Sequence, residues 1–231
     1  MNRKLFSLLL AASAFTTACD DDDDNTGPAV ADARVRVVHA SPDAPSVDVL
    51  LDDAEVLSDV PYLASSAYLA TSAGDHNLKV NAAGTATTAI DADVTLADGT
   101  DYTVIASDLV AAITPIVLED DNTAPAAGNA RVRAIHGAPS APAVDIYVTA
   151  PGADLEAATP VLTSVAFGDV ADYLEVPAGD YQVRVTPAGT KTVAIDSGAL
   201  TLESGQVRTA IAVDAAGGGA PFDLLVLADS N

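Results

Sequence analysis

A segment near the start of the chain occurs a second time in its middle. Residues 33–52 and 130–149 are identical at ten of twenty positions, at a constant offset of 97 residues. A second stretch of similarity begins at Tyr68 and returns from Tyr173 with an offset of 105, so the later copy carries about eight additional residues, within Ala150–Pro160. Surface loops tolerate insertions of this kind. The chain is therefore a tandem duplication, and one fold has to serve for both copies.

In each copy, apolar residues alternate with polar ones, which is the period of a half-buried β-strand. Residues 34–37 and 76–80 of the first copy follow this alternation. Glycine and proline turn signals separate such runs in both copies, and no segment has a convincing helical stripe. The sequence predicts an all-β protein in which each copy is an antiparallel, immunoglobulin-like β-sandwich of about 95–105 residues.

These patterns divide the chain into five segments. They are a lipoprotein signal peptide over residues 1–18, a lipidated cysteine with an acidic disordered tether over 19–32, a first β-sandwich over 33–121, a linker over 122–129 and a second β-sandwich over 130–231. Apolar residues make up 49% of the chain. Since most of them are alanine and valine, we expect two modest cores and not one large core.

The first nineteen residues have the pattern of a secretion signal. Arg3 and Lys4 precede an apolar run, Leu5–Ala14, that is too short to cross a bilayer as a helix, and Ala18 precedes Cys19. This segment resembles a bacterial lipoprotein signal peptide, in which the cysteine is acylated and becomes the new N-terminus. An ordinary cleaved signal peptide is the alternative. Because Cys19 is the only cysteine, the chain has no internal disulfide.

The chain is strongly acidic, with a formal charge of −23. Five consecutive carboxylates, Asp20–Asp24, repel one another, so we expect a solvated tether there. Loss of Arg3 and Lys4 with the signal leaves eight basic residues against 33 acidic ones. Because nucleic acids and anionic lipid surfaces are bound by clustered lysine and arginine, this balance argues against such partners. Halophilic adaptation and simple solubility outside the cell both account for an acidic surface.

Both copies share a motif in which an Arg-Val pair is followed, at the same spacing, by a histidine, two prolines and an aspartate. The candidate structural motif residues are His39, Pro42, Pro45, Asp48, His136, Pro139, Pro142 and Asp145. This motif resembles that of the bacterial domain of unknown function 4397, and the similarity covers nearly all of the chain after the signal. The resemblance implies a secreted or envelope-anchored β-sandwich protein, and it implies no activity, cofactor or catalytic residue.

The two motif histidines are the residues that most invite a functional interpretation. His39 has the parity of Val35 and Val37, so its ring is expected on the core side at the end of the first strand, and His136 occupies the same place in the second copy. We interpret each imidazole as bonding the turn backbone or the nearby aspartate. A metal site is the alternative, but one histidine and one carboxylate per copy fall short of a zinc site. We therefore expect no metal and no cofactor.

Nucleophilic catalysis has weak support. Ser41 follows His39 closely, but Ala138 stands in its place in the second copy, and Ser140 stands where the first copy has Asp43. No glycine-flanked nucleophile elbow is present, so we expect no catalytic residue.

The remaining charged residues also lack a convincing motif. Asp91, Asp93, Asp98 and Asp101 suggest a calcium loop, but Leu96 stands where an EF-hand loop needs glycine. We expect the paired arginines near the start of each copy to face solvent or to meet carboxylates on a neighbouring strand. These are Arg34, Arg36, Arg131 and Arg133.

Three classes of function remain open. The first is a lipid-anchored, non-catalytic cell-envelope protein, on the periplasmic face or the cell surface, that has a structural role or binds a protein or a glycan. Its partners would be the membrane, through the N-terminal lipid, and an envelope protein or glycan, but no nucleic acid. The second is a calcium-dependent adhesion or binding module that uses the acidic loops. The third is a hydrolase whose site has no recognised motif.

Overall fold

The computed structural model describes residues 32–230, and the signal segment with Cys19 lies outside them. The described residues form sixteen β-strands and one turn of 3₁₀ helix, Val110–Ala112. No helix in this range has the length and apolar character needed to span a bilayer. Strands account for the fold, as the alternating sequence pattern predicts.

The first repeat contains eight strands in two four-stranded sheets. The sheet orders are β4-β1-β7-β8 and β3-β2-β5-β6. The strands are β1 (Ala33–His39), β2 (Val47–Leu51), β3 (Ala54–Val60), β4 (Leu69–Thr71), β5 (Gly74–Ala82), β6 (Thr88–Leu96), β7 (Asp101–Ser107) and β8 (Thr114–Asp120).

The second repeat has the same topology. Its sheet orders are β12-β9-β15-β16 and β11-β10-β13-β14. The strands are β9 (Asn129–His136), β10 (Val144–Thr149), β11 (Leu162–Val165), β12 (Leu174–Pro177), β13 (Gly179–Pro187), β14 (Ile195–Leu202), β15 (Val207–Val213) and β16 (Asp223–Ser230). No strand pair within residues 32–230 joins the two repeats. The predicted all-β class with two tandem sandwiches is confirmed.

One strand pair in each domain departs from the expected antiparallel arrangement. β1 pairs in parallel with β7, and β9 pairs in parallel with β15. The central strand β7 is buried along its whole length, because one face covers the sandwich interior and the other faces the second domain. Parallel pairs occur mainly where both faces of a sheet are covered, which is the situation of these strands.

Four apolar clusters hold the described residues together. Two lie inside the first sandwich, one lies inside the second, and the fourth lies between the sandwiches. The shared cluster joins Val38 and Ile105 of the first domain to Ile135 and Ile211 of the second. The expectation of two separate cores was therefore incomplete, because the sheets that contain β1 and β9 bury both of their faces. We call these two sheets the inner sheets and the other two the outer sheets.

A reciprocal set of charged contacts crosses the interface between the inner sheets. Arg36 donates to Asp229 Oδ1 at 2.6 Å, and Arg133 donates to Asp120 Oδ1 at 2.5 Å. Both arginine side chains are 3% exposed, and both aspartate side chains are fully buried. The expectation that Arg36 and Arg133 face solvent or meet a carboxylate on a neighbouring strand is wrong. Their closest carboxylate partners belong to the opposite domain, and Arg36 also lies 3.8 Å from Asp120 of its own domain, on a strand that β1 does not pair with.

Aromatic and hydroxyl groups complete this network. The Arg36 guanidinium lies 4.8 Å from the ring centre of Tyr68, and the Arg133 guanidinium lies 4.6 Å from that of Tyr173. Tyr68 Oη donates to Asp120 Oδ2 at 2.7 Å, and burial raises the pKa of Tyr68 to about 12. Because a buried ion pair stabilises a fold only when its remaining donors and acceptors are satisfied, these contacts explain how the charges are tolerated.

The other two arginines of the motif, Arg34 and Arg131, meet carboxylates on a neighbouring strand, as the sequence predicts. Arg34 pairs with Asp101 on the adjacent strand β7. Arg131 pairs with Asp121 at 2.7 Å and lies 3.9 Å from Glu175 on the adjacent strand β12. The four arginines that share one sequence pattern therefore divide into two buried at the interface and two at its edge.

Candidate functional site

The repeated histidines stabilise the turn that follows the first strand of each domain. His39 Nε2 donates to Pro45 O at 3.0 Å, and His39 Nδ1 accepts from the Ser41 backbone N–H at 3.4 Å. His136 makes the same two contacts in the second domain, with Pro142 O at 3.0 Å and with the N–H two residues after the ring. Burial lowers the pKa of His39, which favours the neutral imidazole that this geometry requires. Each ring bonds turn backbone and not the motif aspartate.

The repeated aspartates stabilise other turns. Asp48 accepts backbone N–H groups through both carboxylate oxygens, at 2.8 and 2.7 Å, and Asp145 does the same at 2.9 and 2.8 Å. All four donor residues have φ between 51° and 73°, the left-handed region that most side chains avoid. The donors are Asp59, Gly84, Ser164 and Gly189. The bonds to Asp59 and Gly84 lower the pKa of Asp48.

The motif prolines lie in the turns that the histidines hold. Pro45 and Pro142 accept the imidazole N–H groups. Pro42 O accepts the Gly217 N–H of the second domain at 2.7 Å, and Pro139 lies in the equivalent turn of the second domain. The contacts made by the motif are thus internal to the scaffold or to the domain interface.

Ser41 is not placed as a nucleophile beside His39. Ser41 is fully buried, and its backbone N–H, not its hydroxyl, is bonded to the His39 ring. The Asp43 carboxylate accepts the Val110 N–H at 2.7 Å. Because both ring nitrogens of His39 are engaged with backbone groups, neither is placed to accept a proton from a side-chain hydroxyl.

The aspartates considered for calcium are divided between the two sheets of the first domain. Asp91 and Asp93 lie on β6, where Asn77 Nδ2 donates to both, at 2.8 and 3.1 Å. Asp101 lies on β7 in the inner sheet and is bonded by Arg34. Residues 32–230 contain no group of three or more His, Cys, Asp or Glu side chains arranged to hold a metal ion.

A cavity of about 520 Å³ lies between the two sheets of the second sandwich. Side chains from all eight strands of that domain line it, and most of them are aliphatic. They include Val132, Ile146, Val148, Val183, Leu202 and Leu224. Small-molecule sites in proteins are typically apolar concavities of about 300–1,000 Å³ with a few polar groups. In volume and in lining, this cavity corresponds to such a site.

The same space in the first sandwich is filled. Val37, Tyr102 and Val104 are buried there in a packed cluster that has no counterpart in the second sandwich. Val37 pairs with Val104 across the parallel strands, and the pair at the same position of the second domain is smaller. Strand pairing aligns Val37, Tyr102 and Val104 with Ala134, Arg208 and Ala210. The smaller Ala134 and Ala210 leave part of the space between the sheets unfilled, whereas Ala212 and Leu224 of the inner sheet still pack against the outer sheet in the core cluster of the second sandwich.

The edge strand of the outer sheet is also shorter in the second domain than in the first. Strand β3 of the first domain has seven residues and pairs as far as Leu51, which lies opposite Ala54, whereas β11 has four residues. Val148, the equivalent of Leu51, has no partner on β11. The inserted residues before β11 lie against another part of the domain, where Lys191 Nζ donates to Leu155 O at 2.8 Å. The insertion therefore leaves the edge of the cavity uncovered.

Exposed residues of the cavity lining lie at both edges of the sandwich. Val161 is 48% exposed, Val170 is 38% exposed and Leu174 is 50% exposed, and all three lie in or beside β11 and β12, the edge strands on one side of the two sheets. Val226, which is 43% exposed, lies on β16 at the opposite edge of the inner sheet. A ligand can therefore reach the interior from solvent without separating any strand pair.

The apolar lining of this cavity suits an apolar occupant better than water. Water in an apolar space has few hydrogen-bond partners. An apolar ligand that contacts the lining gains dispersion energy and removes its own surface from water.

Sequence reasoning missed both the cavity and the interface aspartates. The aspartates had a signal, because Ile116–Asp120 and Leu225–Asp229 are similar pentapeptides that end the last strand of each copy. The cavity had a weaker one: Ala210 replaces Val104, but the pair is recognised only when the strand register is known.

The domain of unknown function (DUF4397) is the family whose model matches this sequence, once at residues 33–147 and again at residues 148–231. The chain belongs to this family. The boundary between the two matches falls inside β10, whereas β8 ends at Asp120 and β9 begins at Asn129. The first strand of the second sandwich is thus covered by the end of the first match.

Two further comparisons add little. No curated protein matches the sequence. A leucine-rich repeat protein from Bacteroides thetaiotaomicron aligns with 82% of this chain at 13% identity and a TM-score of 0.19. The chain spans 27% of the length of that protein, and a TM-score this low carries no argument about fold or function.

Proposed function

We propose that this protein is a lipid-anchored, non-catalytic component of the cell envelope whose second β-sandwich binds an apolar small molecule between its sheets. The observation that carries the proposal is the cavity of about 520 Å³ in the second sandwich, at the place where the first sandwich has a packed core. The first sandwich supports the second through the shared interface cluster and the reciprocal arginine–aspartate contacts.

The lining favours recognition through apolar contact. Burial of apolar surface contributes roughly 25 cal/mol per Å² and needs no directional partner. The cavity is formed by strands whose backbone groups are already paired within the sheets, so binding requires little ordering of the protein. A site of this kind selects a ligand by size and hydrophobicity first.

The most direct test is binding of an uncharged apolar fluorophore, N-phenyl-1-naphthylamine, to the full chain. The protein contains no tryptophan, so its own emission interferes little. The decisive variant is Ala134→Val with Ala210→Val, which restores the side chains that fill the first sandwich. We expect the wild type to bind with saturation and the double variant to lose most of that binding while its melting temperature stays the same or rises.

The reciprocal variant serves as the control. Val104→Ala reverses one of these two exchanges in the first sandwich, at a site remote from the cavity, and fluorophore binding should be unchanged. Saturable binding that survives in the double variant, with a normal melting temperature, places the site elsewhere and overturns the proposal. Absence of saturable binding to the wild type does the same.

The envelope location rests on the N-terminal segment that precedes the described residues. Cys19 at the end of the apolar run supports acylation there. The protein should partition with membranes, and Cys19→Ser should release it or leave it unprocessed. Wild-type protein that is wholly soluble, with an intact mass that contains no lipid, contradicts this part of the proposal and leaves the cavity unaffected.

A further inference from the structure

Arg208 is a cation in the wall of the apolar cavity. It takes the place of Tyr102, which is almost fully buried in the core of the first sandwich and accepts the Ala97 N–H at 3.0 Å. Tyrosine fills that space with a ring, whereas arginine brings a permanent positive charge to it. The exchange is a change in chemistry as well as in shape.

The contacts of Arg208 differ from those of the arginines at the domain interface. Its guanidinium donates to two backbone carbonyls, those of Val207 and Ser230, both at 3.4 Å. No ion pair joins it to a carboxylate within residues 32–230. Arg133 also lines the cavity, but its charge is neutralised by the ion pair with Asp120. Arg184 and Lys191, like Arg208, have no ion pair within residues 32–230, but neither of them lines the cavity.

On the basis of the proposed function, we infer that the ligand is a single-chain carboxylate of the fatty-acid type. Its hydrocarbon chain occupies the cavity of the second sandwich, and its carboxylate pairs with Arg208. The guanidinium presents two parallel N–H groups that match the two oxygens of a carboxylate. A charge in apolar surroundings is costly unless it is paired, so a carboxylate ligand supplies what the cavity wall lacks.

The cavity volume agrees with one hydrocarbon chain. A water molecule accounts for about 30 Å³ of the liquid, and a methylene group is of similar size, so about 520 Å³ holds a chain of on the order of 16 carbons. The interior end of the space is closed by aliphatic side chains of the second core cluster, such as Ile146, Val183 and Leu224, which suit the methyl end of such a chain.

The charge of the surroundings favours a singly charged head group. Asp172 is the acidic residue of the lining, and the whole chain carries a formal charge of −23. One arginine balances one negative charge. A phosphate head group carries close to two negative charges, and the carboxylate of Asp172 would repel the excess charge. The tyrosines of the lining, Tyr173 and Tyr181, already donate to Asp229 and to Pro177 O.

The test compares three sixteen-carbon probes on the full chain with Cys19→Ser, so that no acyl group of its own competes. The probes are palmitate, hexadecanol and hexadecyl phosphate, each measured by displacement of bound N-phenyl-1-naphthylamine. We expect palmitate to bind about tenfold more tightly than hexadecanol, the scale of one charge-assisted hydrogen-bonded pair. Palmitate should also bind more tightly than hexadecyl phosphate.

Two arginine variants separate local from long-range effects. Arg208→Gln should weaken palmitate binding about tenfold and leave hexadecanol binding and fluorophore binding unchanged. Arg34→Gln removes the same charge from the first domain and should change none of the three. Arg208→Lys should recover part of the palmitate affinity, because it restores the charge but not the two-pronged geometry.

The outcomes distinguish this inference from the proposed function. Equal affinities of wild type and Arg208→Gln for palmitate, with both proteins folded, overturn the inference and leave the apolar site standing. Tighter binding of hexadecyl phosphate than of palmitate overturns the assignment of the head group. Failure of every probe to displace the fluorophore from a protein that binds it overturns the single-chain assignment, whereas failure of the fluorophore itself to bind overturns the proposed function.

Discussion

Arg36 Nη2 in the first sandwich and Asp229 Oδ1 in the second lie 2.6 Å apart in the buried interface between the domains. The same contact recurs in the opposite direction between Arg133 and Asp120. The duplication has therefore produced two domains that exchange equivalent charges, and each domain supplies the acid that neutralises the arginine of the other. The stability of either domain should depend on its neighbour.

Asp229→Asn removes the nearest charge partner of Arg36 while retaining its size. We expect a loss of about 3 kcal/mol in the free energy of unfolding, because two buried arginines, Arg36 and Arg133, would then share the single carboxylate of Asp120. Asp121→Asn breaks the ion pair of Arg131, whose acidic partner is 53% exposed, and should cost about 0–1 kcal/mol. Urea unfolding of both variants measures the difference. Equal losses would show that the buried pair is no more important than the exposed one.

Cleavage of the chain within residues 122–128 tests the interface as a whole. Each half contains a complete set of paired strands, so we expect each to retain β structure. Each half also exposes its part of the shared apolar cluster, and we therefore expect both to melt at a lower temperature than the intact chain and to reassociate when mixed. Circular dichroism and proton NMR before and after mixing report these changes. Spectra that do not change on mixing would contradict this role for the interface, and two unfolded halves would contradict the predicted boundary.

His39→Ala and His136→Ala test whether the repeated histidines are structural. Each variant leaves a turn carbonyl and a backbone N–H without a hydrogen-bond partner, so we expect a loss of about 1–3 kcal/mol in stability. Binding of the apolar fluorophore should be retained at a temperature where the variant is folded. Thermal melting and fluorescence titration on the same sample measure both quantities. A variant with normal stability and lost binding would assign the histidine to the ligand site instead.

The dependence of stability on pH should differ between His39 and His76. Burial lowers the pKa of His39 below the ordinary histidine value of 6.5, so its contribution is complete above that pH and is lost as the pH falls through the folded pKa. The hydrogen bond that His76 Nδ1 donates to Asp52 raises the pKa of His76, so its contribution is complete below pH 6.5 and is lost as the pH rises through the folded pKa.

Two glutamine variants test these opposite signs. The stability difference between wild type and His39→Gln should be larger at pH 8 than at pH 5. The difference between wild type and His76→Gln should be larger at pH 5 than at pH 8. Chemical unfolding at the two pH values measures each difference, and the same trend for both variants would contradict the assigned environments.

Val104→Ala and Ala210→Val change one valine side chain in opposite directions at equivalent positions. Val104→Ala opens a gap in a packed core and should cost about 2 kcal/mol. Ala210→Val adds aliphatic surface inside the cavity and should leave stability the same or raise it by about 1 kcal/mol. Denaturant unfolding measures both. A comparable loss in the two variants would indicate that the second sandwich is as closely packed as the first.

Much of the fold could be predicted because local patterns encode it. The alternation of Val35 and Val37 with polar residues predicts a strand, the glycine and proline signals predict turns, and the repeat predicts two domains. The expectation for His39 followed from its parity alone, since a residue on the core side of a strand end meets the following turn.

The sequence by itself determined the all-β class, the duplication and the position of His39 and His136 on the core side of a strand end, because these depend on spacing along the chain. Only the tertiary structure decided that Arg36 and Arg133 are buried and that the second sandwich encloses a cavity. Both depend on which residues of distant strands face one another. The exchange of Val104 for Ala210 is conservative in the sequence, but it opens the interior because Ala134 lies directly opposite in the parallel pair.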